Sequence, residues 1–190
     1  LLAEHVPAHG RVLVVGAGGG LVIKALAEQH PRWSFDGVDP SSEMLELARK
    51  TTVNIADRVR LHHGDVSAAP KGPYDGAACL LVFHHISGEE RKATLHGVRQ
   101  RLRRGSPFVL AHVSFAQNEP DRSGWINRHI RFGAIADMDA EKQEAARLGM
   151  RDRLCILAPE EEEARLHEAG FTGITQFFQS LSFRGWIAYA

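Results

Sequence analysis

The chain of 190 residues has only two cysteines, Cys79 and Cys155. Cys79 lies in an apolar run and Cys155 beside one, and two cysteines make no disulfide framework, so a reducing, cytoplasmic setting is expected. No run of about 18 apolar residues occurs, so no transmembrane helix is expected. No signal peptide is visible, and the chain opens on Leu1-Leu2 without Met, so a further N-terminal segment is expected. An excess of either charge is also lacking, since 23 Lys and Arg meet 23 Asp and Glu. That balance lacks the basic footprint that usually goes with nucleic-acid or membrane partners, and none is expected. No internal repeat or low-complexity tract is present. What is there is an ordinary soluble composition, 44% hydrophobic and 24% charged, long enough to bury one core.

The richest stretch is Val12-Leu13-Val14-Val15-Gly16-Ala17-Gly18-Gly19-Gly20. A short apolar run empties into a glycine turn, and Asp39 follows about 20 residues later in Val38-Asp39-Pro40. This is the layout of a nucleoside-binding α/β domain. Glycines at 16, 18 and 20 make G-x-G-x-G. A dinucleotide fingerprint needs glycine at position 21, which is Leu21. The spacing therefore leans away from NAD and toward S-adenosylmethionine.

Apolar runs alternate with helical patterns along the rest of the chain. Strands are expected at 11–15, 33–38, 58–63, 74–81 and 106–113. Helices are expected at 20–29, with Leu21, Val22, Ala25 and Leu26 on one face, and at 42–50, with Met44, Leu45, Leu47 and Ala48. A third runs over 88–103, with a Ser87–Glu90 capping box and a stripe of Leu95, Val98 and Leu102. The rhythm breaks over 114–157, a long polar and aromatic insertion expected to hold two helices and to act as a lid and acceptor pocket. Pro159 and four glutamates open another helix, and Gly170 ends it. Strands at about 173–178 and 181–189 follow, so closely linked that they form an antiparallel hairpin, with most of their aromatics read as core. The fold class is α/β: one domain over 1–190, a Rossmann-like seven-stranded sheet with helices on both faces and an antiparallel C-terminal hairpin.

Four local matches carry a resemblance. They are the loop Gly16–Gly20; Val38-Asp39-Pro40-Ser41 with Met44; His63-Gly64-Asp65-Val66; and Tyr74-Asp75-Gly76 through Phe83-His84-His85-Ile86. In this order and at these spacings the chain resembles the class I S-adenosylmethionine-dependent methyltransferases over nearly its whole length. The resemblance implies roles. Gly16, Ala17, Gly18 and Gly20 would bring backbone close to the cofactor and aim helix amides at its methionine carboxylate. Asp39 would accept from the ribose hydroxyls, and Asp65 from the adenine amino group beside Gly64 and the Val66 backbone. Pro40 and Met44 would pack on the nucleoside, with core packing an equal reading for Met44. Leu80 and Leu81 would line the methionine part. One departure is Val14, where the family often has an acidic residue.

The acceptor is expected to be a small molecule. Phe83, His84, Trp125, Arg128, His129 and Phe178 are its candidate contacts, and Arg128 with Arg131 would suit an anion. His84, His85 and His129 are the candidate proton acceptors, although methyl transfer from an activated sulfonium needs positioning more than a base. No metal is expected: adjacent histidines rarely converge on one ion, and no acidic or cysteine partner has ligand spacing. A homodimer stays open. The run 164–171 and the aromatic hairpin also resemble the carboxy-S-adenosylmethionine synthase branch used in tRNA wobble-uridine modification, which makes a carboxylated cofactor from prephenate. That branch needs an arginine for the added carboxylate, and Arg147 or Arg151 lies near the relevant segment. A cofactor-holding relative without turnover and, last, an NAD-dependent oxidoreductase complete the alternatives.

Overall fold

The computed structural model describes residues 1–133 and 139–190. Seven strands form one sheet: β1 (Arg11–Val15), β2 (Ser34–Asp39), β3 (Val59–His63), β4 (Gly76–Leu80), β5 (Pro107–Val113), β6 (Thr172–Ser180) and β7 (Phe183–Tyr189), in the order β3-β2-β1-β4-β5-β7-β6. β1 to β5 pair in parallel, and β7 is antiparallel to both β5 and β6. The strand order reverses between β1 and β4, and such a switch point opens a crevice at the C-terminal strand ends.

The helices are α1 (Leu2–His5), α2 (Leu21–Gln29), α3 (Ser42–Thr51), α4 (Gly88–Arg101), α5 (Asp121–Gly133), α6 (Ala140–Arg153) and α7 (Pro159–Glu168). On one face of the sheet Val12, Val14 and Ala78 pack with Ile23, Ala27, Trp33 and Phe35. On the other, Leu13, Val15, Ala77 and Cys79 pack with Leu95 and Val98 of α4, Leu166 of α7 and Trp186. The alternation of β1 across these two cores is the period-2 consequence of a strand buried on both sides. Ser41 caps α3, and the Ser87–Glu90 capping box opens α4. Both short side chains satisfy amides that a helix start leaves unpaired.

α5 and α6 form the insertion expected between β5 and α7. They carry a small core of their own, Ile126, Ile130 and Met150 against Val113, Phe115 and Ile156. No helix among the described residues is long and apolar enough to cross a membrane.

Four local expectations change. In α2 the buried residues are Ile23 and Ala27, while Leu21 is 73% exposed. In α3 only Leu45 and Ala48 are buried; Met44 and Leu47 turn outward toward the glycine loop, because only Pro40 and Ser41 separate the strand from the helix and its first turns overhang that loop. The fourth strand is shorter than 74–81, because Tyr74 bridges to Leu102 and Leu81 adopts φ 62°. The terminal hairpin is core only in β7; β6 is the sheet edge, and Phe177 and Phe178 are each 44% exposed.

Candidate functional site

The glycine loop leaves β1 and turns back with φ of 68° at Gly16, 51° at Gly18 and 83° at Gly20. A left-handed backbone is costly for residues with a Cβ. Space matters as much at Gly16, where a Cβ would lie 2.1 Å from Cγ2 of Val82. The close approach expected toward a ligand is, at this position, an approach to the turn that leaves β4. At Gly18 a Cβ would make only ordinary contacts, with Met44 Cε at 3.6 Å and the Gly16 carbonyl oxygen at 4.0 Å. The loop delivers the N-terminus of α2, which has no side-chain cap and no acidic residue in its first turn. Its amides are therefore available to an anion.

Asp39 ends β2 and is held between two backbone amides. Its Oδ2 accepts from Gly18 N at 2.8 Å and its Oδ1 from Ser41 N at 2.9 Å. The carboxylate ties the glycine loop to the start of α3, and each oxygen keeps a further lone pair for a hydroxyl. Gly64 N donates to the Asp39 carbonyl at 3.0 Å, bringing the end of β3 alongside. Asp65 is exposed; its Oδ1 accepts from Ser67 N at 2.7 Å, and these Ser67 hydrogen bonds hold its pKa below the usual value.

A cavity of about 230 Å³ opens among these strand ends. Gly16, Pro40, Gly64, Asp65 and Val66, all expected at the site, line it, together with Val15, Val38, Val82, Ile86, Glu90, Ala93 and Thr94. Its walls are largely apolar, with the carboxylates of Asp65 and Glu90 as acceptors. Apolar walls with a few acceptors suit a purine ring, and the open α2 amides suit a carboxylate. The residues present thus fit S-adenosylmethionine. Val14 belongs to the core behind the loop and is 1% exposed, so it offers no contact.

A second cavity, of about 460 Å³, lies on the other side of the turn after β4. It is lined by His85 and by His129, Ile130, Ala146, Gly149, Met150, Arg153 and Leu154 of the insertion. The short turn over Phe83–His85 separates the two cavities: Val82 and Ile86 line the first, His85 the second. His129 Nδ1 hydrogen-bonds to Ser182 Oγ, and burial lowers its pKa, so the ring stays neutral to lower pH than a free histidine.

Several expected acceptor contacts are placed elsewhere. Phe83 is fully buried in the main core, and His84 is 7% exposed. His112 lies 5.7 Å from Phe83 and 6.2 Å from His84 on the inner side, and the His84 ring meets that of His85 at 4.2 Å on the other. Burial, helped by His85, Arg91 and His129, drops His84 to a pKa of about 4. Trp125 packs on the insertion core under the guanidiniums of Arg128 at 5.1 Å and Arg184 at 5.8 Å. Arg128 and Arg131 are exposed, and neither Arg128, Trp125 nor Phe178 lines the cavity, because α5 turns His129 and Ile130 toward it instead. Arg147 donates to Asn127 and Glu144, and Arg151 pairs with Asp152; both lie on the opposite side of the α5–α6 pair.

Beneath the turn lies a buried polar network that periodicity alone points to, yet which the motifs pass over. Arg91 and Glu162 are each 1% exposed and form an ion pair. Arg91 also donates to the carbonyls of Phe83 and Cys155, each at 2.6 Å, and Cys155 N donates to the His84 carbonyl at 2.9 Å. Burial pushes the Glu162 carboxyl up to about 7 against the pull of Arg91. His112 Nε2 lies 3.5 Å from Glu162 Oε1, and burial drops that imidazole to about 3. The signal was available: Arg91 stands four residues before Leu95 on the α4 stripe, and Glu162 four before Leu166 on that of α7.

This geometry, a seven-stranded mixed sheet with a glycine-loop crevice, defines a class I Rossmann-like methyltransferase. The chain belongs to the methyltransferase domain family, whose model matches residues 13–108, half of its length, and the cofactor of that class is S-adenosylmethionine. It is 27% identical over 200 residues to a carboxy-S-adenosyl-L-methionine synthase of Chromohalobacter salexigens, covering 100% of this chain and 72% of that protein. In structure it is similar to the S-adenosylmethionine-dependent methyltransferase SibL, with TM-score 0.71, 20% identity, and coverage of 95% of this chain and 50% of that one. Human N-acetylserotonin methyltransferase in complex with SAM gives TM-score 0.67 at 14% identity, over 96% of this chain and 48% of that one. The chain thus spans about half the length of these two solved structures.

Proposed function

We propose that this protein transfers the methyl group of S-adenosylmethionine to a small-molecule acceptor. The observation that carries the reading is the turn Val82–Ile86, which contributes walls to both cavities and so sets donor and acceptor on either side of one short segment. The bound cofactor supplies a methyl group already activated by its sulfonium. The protein's own task is then to align the acceptor and exclude water, which is worth roughly 7–11 kcal/mol in well-oriented reactions. Asp39, Asp65 and the α2 amides are the groups that hold the nucleoside and carboxylate ends. His129 and His85 face the acceptor cavity, and the neutral His129 ring, with Nδ1 engaged by Ser182, is placed to take the acceptor's proton through Nε2.

A second reading, synthesis of a carboxylated cofactor, is favoured by the similarity over the whole chain to a synthase of that name. Arg147, engaged with Asn127 and Glu144, and Arg151, paired with Asp152, do not line the second cavity; Arg153 does, so the arginine which that reading needs would have to be Arg153. The test is thermal unfolding with S-adenosylhomocysteine or NAD at about 1 mM, followed by mass analysis of turnover mixtures. S-adenosylhomocysteine at 100 times its dissociation constant should add about 2.7 kcal/mol, and NAD nothing. A methylated acceptor supports methyl transfer; a heavier cofactor would establish the second reading. A shift with NAD alone would sink both.

A further inference from the structure

Among the described residues, the proposed acceptor cavity is lined by one arginine that forms no ion pair. Arg153, at the end of α6, lines it, and among the described residues no carboxylate lies within ion-pair distance of its guanidinium. The neighbouring arginines differ: Arg147 is paired with Glu144, and Arg151 with Asp152. No acidic residue is among the described residues that line the cavity.

Gly149 explains where this guanidinium lies. It sits inside α6, where glycine costs about 1 kcal/mol relative to alanine. A Cβ there would stand 2.7 Å from Nη2 of Arg153, so the missing side chain makes the space into which Arg153 folds back along its own helix. Ile130, Met150 and Leu154 give the lining an apolar body, and His85 and His129 are the other polar side chains among its described residues.

We infer that the acceptor carries a carboxylate, bound by Arg153, on an apolar body packed against Ile130, Met150 and Leu154. A planar guanidinium matches a carboxylate in a two-point fork. A single cation with no second one beside it suits a singly charged group rather than a phosphate. The nucleophilic atom then lies at the His85–His129 end, facing the turn after β4. This inference rests on the methyl-transfer reading and narrows it to acidic acceptors.

The test uses benzoate and benzamide as probes, titrated calorimetrically into the full chain with and without S-adenosylhomocysteine. Benzoate should bind about tenfold more tightly than benzamide, the preference expected of one charge-assisted contact. Arg153→Met should abolish that preference. Gly149→Ala should abolish it too, because the new methyl displaces the guanidinium while favouring the helix, so the loss does not follow from unfolding. Both variants should keep their affinity for S-adenosylhomocysteine. Equal binding of the two probes, no binding of either, or an Arg153→Met variant that still prefers benzoate overturns the inference. Failure of S-adenosylhomocysteine to bind the unaltered chain would instead overturn the methyl-transfer reading, which separates the two.

Discussion

The two cavities on either side of the turn after β4 are built in opposite ways. The nucleoside side is made by backbone: strand ends, positive-φ glycines and a carboxylate clamped between two amides. The acceptor side is made by side chains from two helices that pack on a small separate core. Backbone geometry is dictated within a few residues of chain, whereas the second cavity exists only once α5 and α6 have docked on Val113 and Phe115. Under the proposed reading, the second cavity could change with its satellite core without disturbing the strand ends.

Because the Arg91–Glu162 pair lies beneath both halves, breaking it should have the largest effect. Arg91→Ala removes two carbonyl contacts and leaves Glu162 buried without its partner. A loss of about 3–5 kcal/mol is expected in denaturant unfolding. Glu168→Ala, at the exposed Arg165–Glu168 pair, should cost less than about 1 kcal/mol. Similar costs for the two would mean that the network does not support the turn.

Gly16→Ala should hit the nucleoside side first. The left-handed backbone alone costs about 1–2 kcal/mol, and the new methyl must push Val82 aside. Calorimetry should show S-adenosylhomocysteine affinity falling well before benzoate binding changes. Equal losses at both would show that the cavities are not separable.

The pH response sharpens the same contrast. His84 and His112 have native pKa values of about 4 and about 3, below the ordinary 6.5. Below pH 6.5 the unfolded chain binds protons that the folded chain refuses, so stability falls as pH drops toward 4. Each histidine contributes up to about 1.4 kcal/mol per pH unit. Glu162 runs the other way: raised to about 7, it stabilises fully below pH 4.5, and that contribution is lost as pH rises through 7. The acid limb of a melting-temperature profile should therefore flatten in His84→Asn. An unchanged limb would place the titration elsewhere.

How much of this could be read in advance varies by region. β1, β4 and β5 and the Gly16–Asp39 spacing were legible because a parallel strand buried on both faces is a plain apolar run and a glycine turn is a local requirement. Gly16, Pro40, Gly64, Asp65 and Val66 do come together around one cavity. The aromatics misled. Phe83 follows a buried strand and simply continues into the core, and Phe178 lies on the edge strand β6 with its side chain 44% exposed. His84 and His85 are adjacent and indistinguishable as letters, but the turn buries one ring and exposes the other.

The sequence by itself determined the class of fold, the order of elements and the nucleoside-binding loop, since periodicity, caps and glycine spacing act over one or two turns of chain. Only the tertiary structure decided which histidine lines the second cavity, which arginines are already paired, and that Arg91 and Glu162 meet under the turn. Arg91 and Glu162 are 71 residues apart, and no local rule connects them. Their meeting follows from α4 and α7 packing on the same face of the sheet, where burial makes either charge costly without its partner.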